Sequence, residues 1–277
     1  MEPFTARGAI PALLRRLEFT MLSFRTPKRG RSRLHLFVLS LALVVSTEAA
    51  ANIVLFGTRV IYPEGRREVS VRMNNRGDQP ALVQAWVDRG DTTATPDKAD
   101  APFVITPPIS RVEPGKGQTL RLSFLGDDVP EDKESLYWLN VLDIPPRPKA
   151  VEGENLMQLA IRSRVKIFLR PAALTDEGAM AAAQQVRWQV QRDGNGRVQG
   201  VLASNPSAYY VNIATVEIGP EGKSVIAGEG AMIAPGATHL FRFASSLPAQ
   251  LEKARVAFGY ITDYGGIARG ESTLGTP

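Results

Sequence analysis

The sequence predicts an all-β protein made of two immunoglobulin-like β-sandwich domains. Short runs of alternating apolar and polar residues dominate it. They recur at roughly 8–12-residue spacing and are broken by Gly, Pro, Asn and Asp, which is the pattern of antiparallel sandwiches. Few segments carry helical periodicity. A break near Arg170-Pro171-Ala172-Ala173-Leu174 divides the strand series into two units of about 120 and 100 residues, each the size of one sandwich.

The first series opens with Val69-Ser70-Val71-Arg72-Met73, which alternates and stops at Asn74-Asn75-Arg76-Gly77-Asp78. Leu82 to Val87 is apolar with Trp86 inside it. Phe103-Val104-Ile105 runs into Thr106-Pro107-Pro108, and Glu113-Pro114-Gly115 makes a turn. Gln118 to Phe124 alternates again, followed by Tyr137 to Leu142 and Leu156 to Leu169. Thr175 to Ala183 is rich in small residues and reads as a linker with a helical turn. In the second series Gln185 to Arg192 alternates, and Asp193-Gly194-Asn195-Gly196 has favoured hairpin chemistry. Arg197 to Ala203 returns, and Val211 to Ile218, His239 to Ala244 and Arg255 to Thr262 complete the set.

Charge divides the chain differently. Of 277 residues, 33 are Lys or Arg and 28 Asp or Glu, a net charge of +5. Residues 1–51 hold eight basic and three acidic residues, so the whole excess sits there and the remainder carries 25 of each sign. That front segment has the layout of a secretory signal peptide. A basic stretch, Arg25 to Arg33, precedes the apolar run Leu34 to Val45, and small residues Ala49 and Ala51 follow. The apolar run is shorter than the ~20 residues a membrane-spanning helix needs. Cleavage after Ala51 leaves a mature chain of 226 residues starting at Asn52, with domains expected over residues 52–173 and 177–277. Met21 is the expected initiator, since it gives a leader of ordinary length. The mature chain is exported, with no stable membrane insertion, and neutral, so a nucleic-acid partner is disfavoured.

Composition narrows the chemistry further. There is no Cys, so no disulfide, thiol nucleophile or cysteine-ligated metal. Of two His, only His239 lies beyond the leader, and its place in an apolar run suits a packed or surface residue better than a general base. No G-x-S-x-G motif supports a serine hydrolase. Gly115-Lys116-Gly117 lacks the rest of a phosphate loop. Gly126-Asp127-Asp128-Val129-Pro130-Glu131-Asp132 lacks calcium-loop spacing. The residues therefore point to a binding protein, neither an enzyme nor a carrier of a cofactor or metal. One binding alternative is a secreted carbohydrate-binding or adhesive protein. It needs an exposed aromatic platform, and Trp86, Trp138 and Trp188 all fall in strand-like runs that read as core.

Leu156 to Leu169 stands out. It is long for a strand, where about 5–6 residues is usual. Its odd positions from Met157 to Leu169 are apolar except Ser163, and its even positions include Gln158, Arg162, Arg164 and Lys166. Such a row is either a central strand with one face in the core or an exposed edge that recruits other chains. Periodicity does not separate the two.

In order along the chain, the motifs resemble those of the periplasmic pilus chaperones, the PapD-like family. They are Thr58-Arg59-Val60-Ile61-Tyr62-Pro63, Asn74-Asn75, Thr106-Pro107-Pro108, Glu113-Pro114-Gly115 and Trp138-Leu139-Asn140-Val141. They continue with Ile144-Pro145-Pro146, Arg164 through Pro171, Asn205-Pro206, Ala234-Pro235-Gly236 and Tyr260 through Gly266. The resemblance implies two sandwiches set at an angle with a cleft between them. It implies a periplasmic chaperone that folds and caps pilus subunits and delivers them to an outer-membrane usher.

What the resemblance implies for residues is specific. A subunit lacks the last strand of its own sandwich, and the chaperone lends one to it. By position in the family pattern, Met157, Leu159 and Ile161 are the donated side chains. Arg59 and Lys166 match the pair that anchors the subunit's C-terminal carboxylate. Glu134, Arg170 and Asp263 match an interdomain ion-pair set. About nine residues between Pro146 and Leu156 resemble the short-loop branch of the family. Thr262 stands where Asn is common. An uncovered donor edge makes a self-capping homodimer plausible on physical grounds.

Overall fold

Strand-forming segments of this kind have one apolar face each and must pair face to face. The computed structural model of the chain describes residues 52–277 except 127, 148–156, 220–223, 244–246, 248–250, 252–253 and 276–277. The leader with Met21, Asp127 of the acidic loop, and Leu156 lie outside the described residues.

The first unit contains β1 (Ile53–Leu55), β2 (Arg59–Pro63), β3 (Val69–Asn75), β4 (Ala81–Asp88), β5 (Phe103–Thr106), β6 (Ile109–Val112), β7 (Gly117–Phe124), β8 (Ser135–Ile144) and β9 (Ile161–Arg170). They form two sheets, β1-β3-β7-β5 and β2-β9-β8-β4-β6. Alternate residues of both, among them Val71, Met73, Leu120, Leu122, Leu139, Val141 and Ile167, close one core. Tyr62 is fully buried in it. Its hydroxyl donates to the Arg66 carbonyl (2.9 Å) and accepts from the Phe124 N–H (3.0 Å), so the ring is held without an unmet polar atom.

Thr175 opens the second unit by capping α1 (Asp176–Ala182), its hydroxyl accepting from the Gly178 N–H. The strands are β10 (Arg187–Arg192), β11 (Val198–Ser204), β12 (Val211–Ile218), β13 (Val225–Ile226), β14 (Ala231–Ile233), β15 (Thr238–Phe241), β16 (Arg255–Ile261) and β17 (Ile267–Thr273). Their sheets are β10-β11-β15 and β13-β12-β16-β17, with β14 also on β12. Between them lies a separate core around Trp188, Val201, Val216, Phe241 and Val256. The Asp193–Gly196 hairpin forms between β10 and β11, with Gly196 at φ 77° and its N–H donating to the Asp193 carbonyl.

Both units use the same buried device at a turn. Asn75 donates its amide to the carbonyls of Gln79 and Val112. Asn205 donates to those of Tyr209, Ile233 and Ala234. Each side-chain oxygen accepts the N–H two residues on, from Gly77 and Ser207. A side-chain amide supplies two donor hydrogens and an acceptor at once, which neither a single hydroxyl nor a carboxylate does, and the short Asn places them at both turns.

The long strand is where expectation and structure part in detail. β9 begins at Ile161, so Met157 and Leu159 precede it. β8 ends at Ile144, and the pair Asp143–Ile161 is the last rung available. Central and edge readings each hold for part of the strand. Residues Lys166 to Leu169 lie between β8 and the parallel strand β2, Arg170 pairs with β2, and Ile161 to Val165 have β8 on one side only. Among the described residues no strand pairs with their other edge.

Trp188 is in the second core and Trp86 is also buried, at 7% exposed, while Trp138 departs from expectation as a half-buried ring; neither Trp86 nor Trp138 belongs to the cluster between the first two sheets. Their even positions turn them to the outer face of the sheet, where Arg162 lies 4.8 Å over Trp86 and Arg164 4.7 Å over Trp138. These cations cover the rings by cation–π stacking, which removes the open platform that carbohydrate binding would use. His239 is exposed on β15, against the edge of Phe241.

Candidate functional site: an open strand edge leading into an interdomain cleft

Strand β9 carries two different faces. Its odd residues Val165, Ile167 and Leu169 enter the first core. Its even residues Lys166, Phe168 and Arg170 turn toward the second unit, where Phe168 meets Tyr210 at 5.5 Å between ring centroids. The parallel register then places Arg59 of β2 directly beside Lys166. Two cations on adjacent strands are thereby forced together.

Neither cation has a carboxylate within ion-pair distance among the described residues. Arg59 donates through Nη1 to the Ile261 carbonyl (3.2 Å), and its Nε is buried with no acceptor. Its guanidinium lies over the Phe168 ring at 5.8 Å. Lys166 donates to Asn212 Oδ1 (3.0 Å), a neutral partner. Burial lowers the Lys166 pKa, and the charge of Arg59 lowers it further. Burial likewise lowers that of Arg59, opposed by the charges of Asp263 and Glu134. Half-buried cations with spare donors form a local demand for an anion.

The neighbouring cluster meets its own demand. Arg170 is 3% exposed. Its Nε donates to Glu134 Oε1 (2.9 Å), its Nη2 to Asp263 Oδ2 (2.8 Å) and its Nη1 to Asp176 Oδ1 (2.6 Å). Burial opposes its charge, but the hydrogen bonds and charges of Asp263 and Glu134 outweigh that and raise its pKa. Glu134 Oε2 also accepts from the Tyr210 N–H (2.8 Å), and the Glu134 N–H donates to the Ala208 carbonyl (2.9 Å). Burial raises the pKa of Glu134 despite those bonds. Asp263 is presented by a tight turn in which the Gly265 N–H donates to the Thr262 carbonyl. Gly265 has φ +82°, and a Cβ there would meet Thr58 Oγ1 at 2.8 Å, so only glycine fits.

Glu134, Arg170 and Asp263 thus meet, as do Arg59 and Lys166. Sequence reasoning missed Asp176 and Asn212. Asp176 carried one usable signal, its place as the first helical residue after a Thr cap. Asn212 carried none. Met157, Leu159 and Ile161 are 83%, 70% and 43% exposed, a row of apolar side chains in solvent along the approach to the open edge. Gln158 Nε2 donates to the Pro145 carbonyl (2.6 Å) and ties this approach to the chain leaving β8. Among the described residues no group of three metal-ligating side chains converges.

Comparison with known families decides what kind of protein has this arrangement. Residues 52–175 match the family model described as pili and flagellar-assembly chaperone, PapD N-terminal domain, and residues 181–272 the C-terminal domain of pili assembly chaperone PapD. The chain belongs to the PapD-like pilus chaperones. It is 44% identical over 200 residues to the chaperone protein FimB/FhaD of Bordetella pertussis, covering 70% of this chain and 80% of that one. It is 36% identical over 235 residues to the probable fimbrial chaperone YadV of Escherichia coli K12, covering 84% and 94%. Among solved structures, the Pseudomonas aeruginosa CupB2 chaperone superposes with a TM-score of 0.66 at 36% identity, over 80% of this chain and all of that one. The Salmonella enterica SafB chaperone, solved in complex with the SafA pilin, does so with 0.64 at 27% identity, over 83% and 99%. This PapD-like chain is accordingly a fimbrial chaperone of the chaperone–usher pathway, with the two-sandwich fold of its relatives.

Proposed function

We propose that this chaperone works by donating β9 and the segment before it to an incomplete pilus subunit, in the periplasm, and passes the subunit to an outer-membrane usher. One observation carries the reading: a row of exposed apolar residues leads into an open strand edge that ends at two cations with no carboxylate in ion-pair distance among the described residues. Met157, Leu159 and Ile161 lie two residues apart, about 6.7 Å between neighbours in extended chain. They enter the subunit groove where its missing strand would lie. Lys166, five residues beyond Ile161 or roughly 17 Å along the strand, holds the subunit's C-terminal carboxylate together with Arg59. Main-chain hydrogen bonds along the open edge give affinity tolerant of subunit sequence, and the apolar side chains exclude water from the groove.

The carboxylate anchor fixes register. A slip of one residue would turn the apolar row away from the groove. The guanidinium offers a planar fork and the ammonium a point charge, which together suit a carboxylate in a half-buried cleft. Glu134, Arg170 and Asp263, with Asp176, hold the two sandwiches in the arrangement that keeps this cleft open. Cleavage of the leader after Ala51 releases the chain into the periplasm. No helix among the described residues is long and apolar enough to cross a membrane. The free chaperone covers its apolar row by pairing with a second copy.

The test is recovery of a co-expressed subunit. Arg59→Ala and Lys166→Ala should each cost about 2–5 kcal/mol of binding, as for truncating one side of a buried charge pair. Subunit recovery from the periplasm should then drop to background while the chaperone itself accumulates normally. Wild-type subunit yield with either variant would refute the anchor.

A further inference from the structure

Among the described residues, one buried carboxylate outside the cleft has no cation paired with it, unlike Asp88, which Arg164 holds at 2.8 Å. Asp143 sits near the end of β8 on the inner face of the first sandwich and is 4% exposed. Its strand neighbours are Val83 of β4 and Ile161 of β9, both apolar. Its Oδ2 accepts the Ile53 N–H at 3.2 Å, from the first residue of β1 in the opposite sheet. Its Oδ1 has no hydrogen-bond partner. Among the described residues no cationic side chain acts on it; the groups that do are the backbone N–H groups of Ile53 and Asn52, set against burial, which raises its pKa. An isolated carboxylate in such a place is costly and normally acquires a cation.

The expected leader cleavage supplies one. Cutting after Ala51 turns the Asn52 amide nitrogen into an α-ammonium, one residue from the N–H that Asp143 already accepts. Successive backbone nitrogens lie within about 3.6 Å of each other in extended chain. Asn52 is also held in place: its carbonyl accepts from the Arg76 N–H at 2.7 Å, and Gly77 packs against its side chain so closely that a Cβ there would clash. The new charge is therefore delivered to a fixed position.

We propose that Asp143 is the receptor for the α-ammonium of Asn52, so that removing the leader completes an ion pair between the two sheets of the first sandwich. Before cleavage the same nitrogen is an uncharged amide and the carboxylate stays uncompensated. The first domain is then at its least stable while the leader is attached and tightens once the chain is processed. This pair closes the sandwich at the end where β9 begins, beside the Asp143–Ile161 rung. The inference rests on the cleavage proposed above.

Four full-length chains test it, each exported and recovered as the processed protein: wild type, a Gly-Ser insertion between Ala51 and Asn52, Asp143→Asn, and both changes together. The insertion should lower the folding equilibrium constant about 10- to 100-fold when Asp143 is present, the range for a hydrogen bond to a charged group. In the Asp143→Asn background it should change that constant less than about threefold, since little coupling remains. The wild-type α-amino group should also titrate above its ordinary range of about 7.7–8.0, a readout that needs no variant to fold. Equal losses in both backgrounds, or ordinary titration, overturn the inference while leaving the export reading intact. A wild-type N-terminus other than Asn52, seen by mass spectrometry, removes the cleavage reading and this inference with it.

Discussion

Arg59 and Lys166 show how far a residue can be read from sequence and where reading stops. Each alone is an unremarkable surface-type cation. Their adjacency comes from a parallel pairing of β2 with β9 that joins residues about a hundred positions apart, and no local pattern encodes it; the family motifs did. Asp143 was not singled out at all, because a lone Asp in Val-Leu-Asp-Ile looks like the polar position of an alternating strand. Only the opposite sheet makes it buried. The depressed pKa of Lys166 gives a pH test with a definite sign. In the proposed anchor only the charged form holds the subunit, so affinity should fall as pH rises through that lowered value, before the ordinary 10.5. Affinity should also fall in acid as the subunit's terminal carboxylate, ordinarily near 3.3–3.7, takes up a proton. Lys166→Arg keeps a charge at every accessible pH and should push the alkaline limb upward. An alkaline limb shared by both proteins would mean that some other group titrates.

Among the elements, β9 combines three roles in ten residues: core strand on its odd face, cleft wall on its even face, and open edge over its first half. The strand's existence and its alternation were legible, because a period of two survives in sequence. Its start was not, because the end of a strand depends on where its neighbour ends. Trp138 departed from its core reading for a related reason. An apolar run does not reveal which face of a half-exposed sheet a ring occupies, and two of the three faced outward beneath arginines. Met157→Asp or Leu159→Asp should abolish stable subunit complexes while shifting the chaperone's own unfolding midpoint little, since both side chains are largely in solvent. Co-purification at one-to-one stoichiometry with either variant would show that this row is not donated.

Across the whole molecule, two separate cores are joined by contacts that include the ion pairs of Arg170 with Glu134, Asp176 and Asp263. The basic balance that the full chain shows belongs to its first 51 residues, and the folded part works through the placement of single charges. Replacing Arg170 by Ala leaves the buried Glu134 without its cation, which should cost about 3–5 kcal/mol. It should also unlink the sandwiches, so that one calorimetric unfolding transition becomes two. A single transition at the wild-type temperature would show that the domains are coupled elsewhere. The proposed function, however, centres on the open edge. Amide hydrogen exchange along β9, in the free protein and in complex with a subunit, reads it most directly. Exchange from Met157 to Val165 should slow on binding, with little change from Ile167 to Leu169, already paired on both sides. Unchanged exchange before Lys166 in a stable complex would contradict strand donation.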